Sequence, residues 1–332
     1  MPRALTGMPF DDIRDLLETL PPPDDHAAET VRERNAELAK PVGSLGRLED
    51  MVEWLACWQA NRRPSINRPL VAIFAANHEI AKRDPAGPQA ADTRAAVELF
   101  AAGGGAVNQL ALAQNAGLKV FDLALDIPTP DICTDEAFTE QACAATMAFG
   151  MESIAGGTDL LCVGAAGGGD ALVAAGVACA LFGGKASEWT DNPAHVALIE
   201  QALAFHGDGL KDPLEILRRI GGRDLAAIAG AIIAARFQRI PVLLDGFVAC
   251  AAAAVLFKAE PTALDHCLAA HRSGAAAHDK LLAALGKQPL LDMGVTLDDG
   301  TGAALAIGIV KAAAATHSGM TTRDKLGTHG DA

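Results

Sequence analysis

The sequence predicts an α/β protein built on a parallel sheet with helices on both faces. Two observations carry this. From residue 69 onward, short apolar runs rich in strand formers alternate with long alanine-rich helical segments. The aromatic share is only 4%, with 33 glycines and no tyrosine, so the core must be made of small side chains that let helices lie close on a sheet. At 332 residues, half of them hydrophobic and a fifth charged, the chain is long enough for one large domain and a small one.

The first 65 residues read as helical and polar. Pro21-Pro22-Pro23 interrupts them, Glu29–Lys40 has amphipathic spacing, Pro41–Gly46 is a turn, and Arg47–Ala60 is a further helix. Strands are expected at Leu70–Ala76, Lys119–Leu125, Asp159–Val163 and Pro241–Leu244. Helices are expected between them at Ala91–Phe100, Gly105–Asn115, Glu136–Gly150, Ala171–Phe182, Asp224–Phe237 and Phe247–Phe257, with a last one at Gly302–Thr316 before a polar tail, Arg323–Ala332.

The net charge of −14 argues against nucleic acid, whose binding needs a basic face. The longest apolar stretches, about Leu225–Ala235 and Phe247–Phe257, fall short of the roughly 18 residues of a membrane span. Asp11, Asp12, Asp15 and Glu18 interrupt any secretory signal, so the expected location is cytoplasmic. Cys57, Cys133, Cys143, Cys162, Cys179, Cys250 and Cys267 form no C-x-x-C pair and read as small buried hydrophobes.

Ligands of such sheets bind beyond the carboxyl ends of the strands, which directs attention to 77–79, Asp126, 164–170 and 245–246. Gly164–Gly169, between a strand and a helix, is either a phosphate cradle or a tight turn; Asp170 puts charge where a phosphate would sit and favours the turn, where it can serve as a helix cap. Gly103, Gly104 and Gly105 open another helix and read as a packing turn. His78 and Glu79 at a strand tip are a possible acid–base pair, although adjacent residues point in different directions. Asp245 and Gly246 read first as a cap of the following helix. The loop Asp298-Asp299-Gly300-Thr301-Gly302 has backbone donors for a phosphate but not the ligand spacing of a calcium loop. His266, His271 and His278 lack metal-site spacing and read as surface or capping histidines; no metal or other cofactor is expected.

Several segments together resemble the nicotinate-nucleotide–dimethylbenzimidazole phosphoribosyltransferase family. They are Lys40–Glu49, Gly103–Asn108, Ala155–Gly164, Pro241–Phe247, Pro289–Gly294 and Gly300–Ala304, in family order and across nearly the whole chain. The resemblance implies a Rossmann-like parallel sheet flanked by helices in a large domain, residues 66–300. It also implies a small helical domain formed from both termini, residues 1–65 and 301–332, and a homodimer. The implied reaction is attack of a dimethylbenzimidazole nitrogen on the ribose carbon of nicotinate mononucleotide, with loss of nicotinate, giving α-ribazole phosphate for the lower ligand of cobalamin. Its partners are a nucleotide and an aromatic base, with no metal or redox cofactor. A carboxylate near the C-terminus takes the proton from the base, and a glycine-rich loop holds the phosphate.

The sequence departs from the family at those positions. Where the family reads Glu-Met-Gly-Ile-Gly-Asn-Thr-Thr after the third strand, this chain has Ala165-Ala166-Gly167-Gly168-Gly169-Asp170-Ala171-Leu172. A phosphate loop with a lysine is shortened to Thr190–His195, with His195 near the lysine position. After Ser273-Gly274, Glu-Pro-Gly becomes Ala275-Ala276-Ala277. In Met320–Gly327, Lys325 replaces the expected base beside Asp324, and Glu79–Ala95 carries Lys82, Arg83, Asp84 and Arg94 in place of small apolar residues. One reading is a phosphoribosyltransferase, with the family's substrates or a changed one, in which Asp324 is the base and Arg94 or Lys325 supplies lost cationic contacts. Its binding residues would be His78, Gly103, Gly104, Gly164, Gly167, Gly168, Gly169, Asp170, His195, Asp245, Gly246, Thr301 and Gly302. The other is a catalytically impaired paralogue serving as a binding or regulatory protein.

Overall fold

The apolar runs become a sheet. In the computed structural model, which describes residues 7–326, the strands are β1 (Pro69–Ala75), β2 (Gly117–Asp122), β3 (Leu160–Ala166), β4 (Val242–Leu244) and β5 (Cys267–Ala269). They pair in the order β2-β1-β3-β4-β5, all parallel. Residues 327–332, which hold Gly327 and most of the polar tail, lie outside the described residues, as do 1–6.

The helices, in chain order, are α1 (Phe10–Glu18), α2 (Asp25–Glu37), α3 (Arg47–Gln59), α4 (Ala90–Ala101), α5 (Ala106–Ala113), α6 (Glu140–Ser153), α7 (Asp170–Phe182), α8 (Pro193–His206), α9 (Pro213–Ile220), α10 (Arg223–Phe237), α11 (Gly246–Ala259), α12 (Ala276–Ala284) and α13 (Thr301–Gly319). Strand side chains alternate between two cores. Leu70, Ala72, Phe74, Leu161, Val163 and Ala165 face a core shared with α1, α6, α7, α10 and α11. Val71, Ile73, Leu160, Cys162 and Leu243 face one shared with α2, α3, α5 and α13. The sheet is therefore covered on both faces, as the alternation of runs requires.

Small residues set the layer spacing. A Cβ on Gly150 of α6 would fall 1.9 Å from the Ala227 carbonyl oxygen, and one on Gly230 of α10 the same distance from that of Met147, so the two helix backbones touch through these glycines. On the other face both chain ends meet. Arg34 of α2 donates to the carbonyls of His317, Ser318 and Met320 at the end of α13, Asn35 bonds His317 at 2.8 Å, and Ala39 donates to Thr321. Helix α1 packs instead with α6: Phe10 lies in that core and its N–H donates to Glu140.

Three sequence expectations need correcting. β5 is a strand that the sequence did not mark; like β4 it is three residues long, but its short run Cys267–Ala270 is set between His266 and His271. The stretch Ala90–Ala113 has the length and mean hydropathy of a membrane span and was overlooked. It folds as two helices of 12 and 8 residues broken at Gly103–Gly105, each too short to cross a bilayer. His266, His271 and His278 are buried rather than superficial. Burial lowers the pKa of His266 to about 3 and of His278 to about 4. The cysteines behave as expected: all but the half-buried Cys57 are in the interior.

Candidate active site

At the carboxyl end of the sheet, a cleft of about 480 Å³ opens between the starts of several helices. Trp189, Phe247, Ala275 and Ala277 give it apolar walls, and Thr190, Asn192, His195, Ser273 and Asp298 give it polar groups. It runs into a recess of about 190 Å³, reached past Ala171, Asn192 and His195 and bounded by Asp84, Gly169 and Asp170. The first turns of α7, α8, α11 and α12 all border this space. Converging positive helix ends favour an anion.

Two of those ends already hold a carboxyl. Asp298 accepts from the Phe247 N–H at 2.6 Å, at the start of α11. Asp170 accepts from the Ala171 N–H at 2.6 Å, at the start of α7. Both carboxyls sit deep among protein atoms, although the cavity reaches them. Burial, with Asp170 and Asp245 nearby, pushes Asp298 up to about 8. Burial and Asp224 push Asp170 up to about 7. At α8 and α12 the cleft is lined by Thr190, His195 and Ser273; the Thr190 hydroxyl accepts from the Asn192 N–H and the Ser273 hydroxyl bonds His278. His195 Nε2 lies 2.8 Å from Asp84, which the contact holds below the usual carboxylate range.

Behind the cleft stand two buried acid–histidine pairs. His78 bonds Thr129 through Nδ1 at 2.8 Å and meets Asp224 through Nε2 at 3.2 Å. Burial opposes a charge on this ring, but Asp224 outweighs it and its pKa is raised. His271 Nε2 lies 3.4 Å from Asp245 Oδ1, an ion-pair contact without good hydrogen-bond geometry, and its pKa is likewise raised against burial by Asp245.

The structure brings some of the sequence candidates together. His195, Gly169 and Asp170 border the cleft or its recess, and Gly246 lies directly against Asp298. Asp245 is a cap, but of α13 rather than of the helix that follows it: its carboxylate accepts from Gly300 at 2.7 Å and Ala303 at 2.5 Å. Asp170 is likewise not the N-cap expected of it; Gly169, with φ +88°, holds that place and Asp170 begins the helix. Glu79 does not pair with His78; it binds Lys82 on the surface.

The remaining glycines serve close packing. A Cβ on Gly164 would meet the Gly300 nitrogen at 2.4 Å, one on Gly167 the Ala76 oxygen at 2.4 Å, and one on Gly302 the His271 ring at 2.1 Å. The N–H of Gly168 is taken by Thr93, and the Thr301 hydroxyl by Asp299. Gly103 and Gly104 are exposed on the turn between α4 and α5, and Arg94 is exposed and pairs with Asp126. Asp324 and Lys325 are exposed on a short 3-10 turn at 323–325, beside Lys40 and outside the cleft lining. Sequence reasoning missed the walls, Trp189 and Phe247, and the carboxyls Asp84 and Asp298 as cleft groups; the one available signal was the placement of Asp298 in an acidic glycine loop.

The comparisons agree on what scaffold this is. Residues 20–327 match a family model described as phosphoribosyltransferase. The chain is 55% identical to the nicotinate-nucleotide–dimethylbenzimidazole phosphoribosyltransferase of Brucella anthropi, over 98% of this chain and 99% of that one. It is 56% identical to that of Agrobacterium fabrum, over 98% and 96%. The crystal structure of the enzyme so named from Thermus thermophilus superposes with a TM-score of 0.84 at 32% identity, covering 91% of this chain and 98% of that one. On sequence and fold together, this chain belongs to the nicotinate-nucleotide–dimethylbenzimidazole phosphoribosyltransferase family.

Proposed function

We propose that the chain transfers the phosphoribosyl group of nicotinate mononucleotide to dimethylbenzimidazole or a related base, giving α-ribazole phosphate for the cobalamin lower ligand. The observation that carries this is the cleft itself: an apolar-walled space of about 480 Å³ at the sheet's carboxyl end, bordered by four helix N-termini. A planar base fits against Phe247 and Trp189. The phosphate belongs on the α8 and α12 side, which Thr190, His195, Ser273 and Gly274 line at two helix starts. On the α7 and α11 side, the Asp170 and Asp298 carboxyls already occupy the helix starts. Such a site works by positioning the ribose carbon between leaving nicotinate and incoming nitrogen.

The chain acts in this reading as a cytoplasmic homodimer, with 1–65 and 301–332 as a small helical domain beside the large one at 66–300, except that α1 packs into the core of the large one. Titration calorimetry with nicotinate mononucleotide, followed by chromatography of products with dimethylbenzimidazole, tests it. Nucleotide binding and a ribosylated base are expected, and His195→Ala should weaken nucleotide binding about tenfold, the loss of one hydrogen bond to a charged group. Absence of binding at millimolar nucleotide sinks the reading.

One observation favours a second reading, a catalytically impaired binding protein. Among the described residues, no Lys or Arg lines the cleft, and two carboxyls occupy helix ends that an anion would use. Tight nucleotide binding without any transfer would select it.

A further inference from the structure

Asp298 has features that a packing residue would not need. Its backbone carbonyl accepts from Ala165 near the end of β3, and its Oδ1 accepts from the Phe247 N–H, so the residue is held through both backbone and side chain. It borders the cleft beside the Phe247 ring, where an aromatic base would lie. Room for it is made by Gly246: a Cβ there would fall 1.6 Å from Asp298 Oδ1, and the glycine has φ +68°. Asp324, the sequence candidate for the same task, is exposed on the 3-10 turn and is not among the cleft-lining residues.

Resting on the transfer reaction proposed above, we propose that Asp298 is the catalytic base that takes the proton from the benzimidazole. One ring nitrogen attacks the ribose carbon with its lone pair, and the bond from that carbon to the pyridinium nitrogen breaks. The bonding pair stays on nicotinate, which leaves as the free base. The proton on the other benzimidazole nitrogen passes to the Asp298 carboxylate, which becomes the neutral acid. The groups facing Asp298 are Asp170 at the start of α7, Asp245 at the end of β4, His271 after β5 and its neighbour Asp299. Burial among these acids raises its pKa to about 8, which makes the ionised carboxylate a stronger base than an exposed one.

The test is Asp298→Asn, which keeps the acceptor for Phe247, assayed with two acceptors. With dimethylbenzimidazole, kcat should fall by roughly 10²–10⁴-fold with nucleotide affinity unchanged, the usual worth of general-base help. With the N-methylated base, which has no proton to lose, the variant and wild type should transfer at similar rates. The wild-type rate should rise with pH through about 8, as Asp298 ionises, and the variant should lose that rise. A variant that keeps the wild-type rate overturns this assignment alone, as does an equal loss with both acceptors, which would mark a structural role. A comparable loss in Asp324→Asn also overturns it. Wild-type protein that binds nucleotide and transfers nothing overturns both this assignment and the proposed function.

Discussion

Glycine does different work in the helical layer and in the cleft. Between α6 and α10, Gly150 and Gly230 let two backbones touch, and the contact is apolar and closed to solvent. At the cleft, Gly246 leaves space for the carboxyl of Asp298, a residue that borders the cavity. The first contact is a packing device on which stability depends. The second positions a titratable group and matters more to chemistry than to stability. A scaffold can therefore keep its layer geometry while the floor of its site is rebuilt.

The largest effect should come from breaking the layer contact. Gly230→Ala places a Cβ against a backbone oxygen that cannot swing away, and should cost about 3 kcal/mol or more in urea unfolding. Gly246→Ala should cost less stability, about 1–2 kcal/mol, but push Asp298 aside and lower the transfer rate at least as visibly as it lowers the melting temperature.

pH sharpens the comparison further. The folded state raises the pKa of Asp298 to about 8 from an ordinary value of 3.8. A carboxyl that binds its proton more tightly when folded contributes its full stabilisation below the unfolded pKa and loses it as pH rises through the folded one. Between pH 6.5 and 8.5 the melting temperature of Asp298→Asn should therefore rise relative to wild type, measured by calorimetry at each pH. The smallest effect is expected outside both regions: Arg94→Ala removes an exposed pair with Asp126 and should change stability by less than about 0.5 kcal/mol.

Much of the frame was legible in the sequence, because short apolar runs separated by alanine-rich helices leave few architectures open. β1, β3 and β4 lie within a few residues of where the runs put them. β5 was not marked, and α8, α9 and α12 were not singled out, although their periodicity is no weaker than that of α6 and α7. The site was legible only in part. His195, Gly169 and Asp170 were found because they sit at strand tips or helix starts. Asp84, Trp189, Phe247 and Asp298 come from four separate segments, and nothing local says that they meet. Gly164, Gly167 and Gly302 looked like a phosphate cradle because sequence cannot distinguish a glycine that admits a ligand from one that admits another backbone. The buried histidines were misread for a similar reason: His78 and His271 are tolerated inside by Asp224 and Asp245, partners 146 and 26 positions away along the chain.

Asp245 ties the end of β4 to the first turn of α13, and α13 in turn is gripped at its far end by Arg34 of α2. During synthesis α2 and α3, which leave the ribosome early, must therefore wait for the last helix. Until some 280 further residues have emerged, α2 and α3 expose the apolar side that α13 will cover. Newly made chains should be most open to chaperones and proteases in that interval, and truncations that remove α13 should leave the first helices, not only the missing end, prone to aggregation.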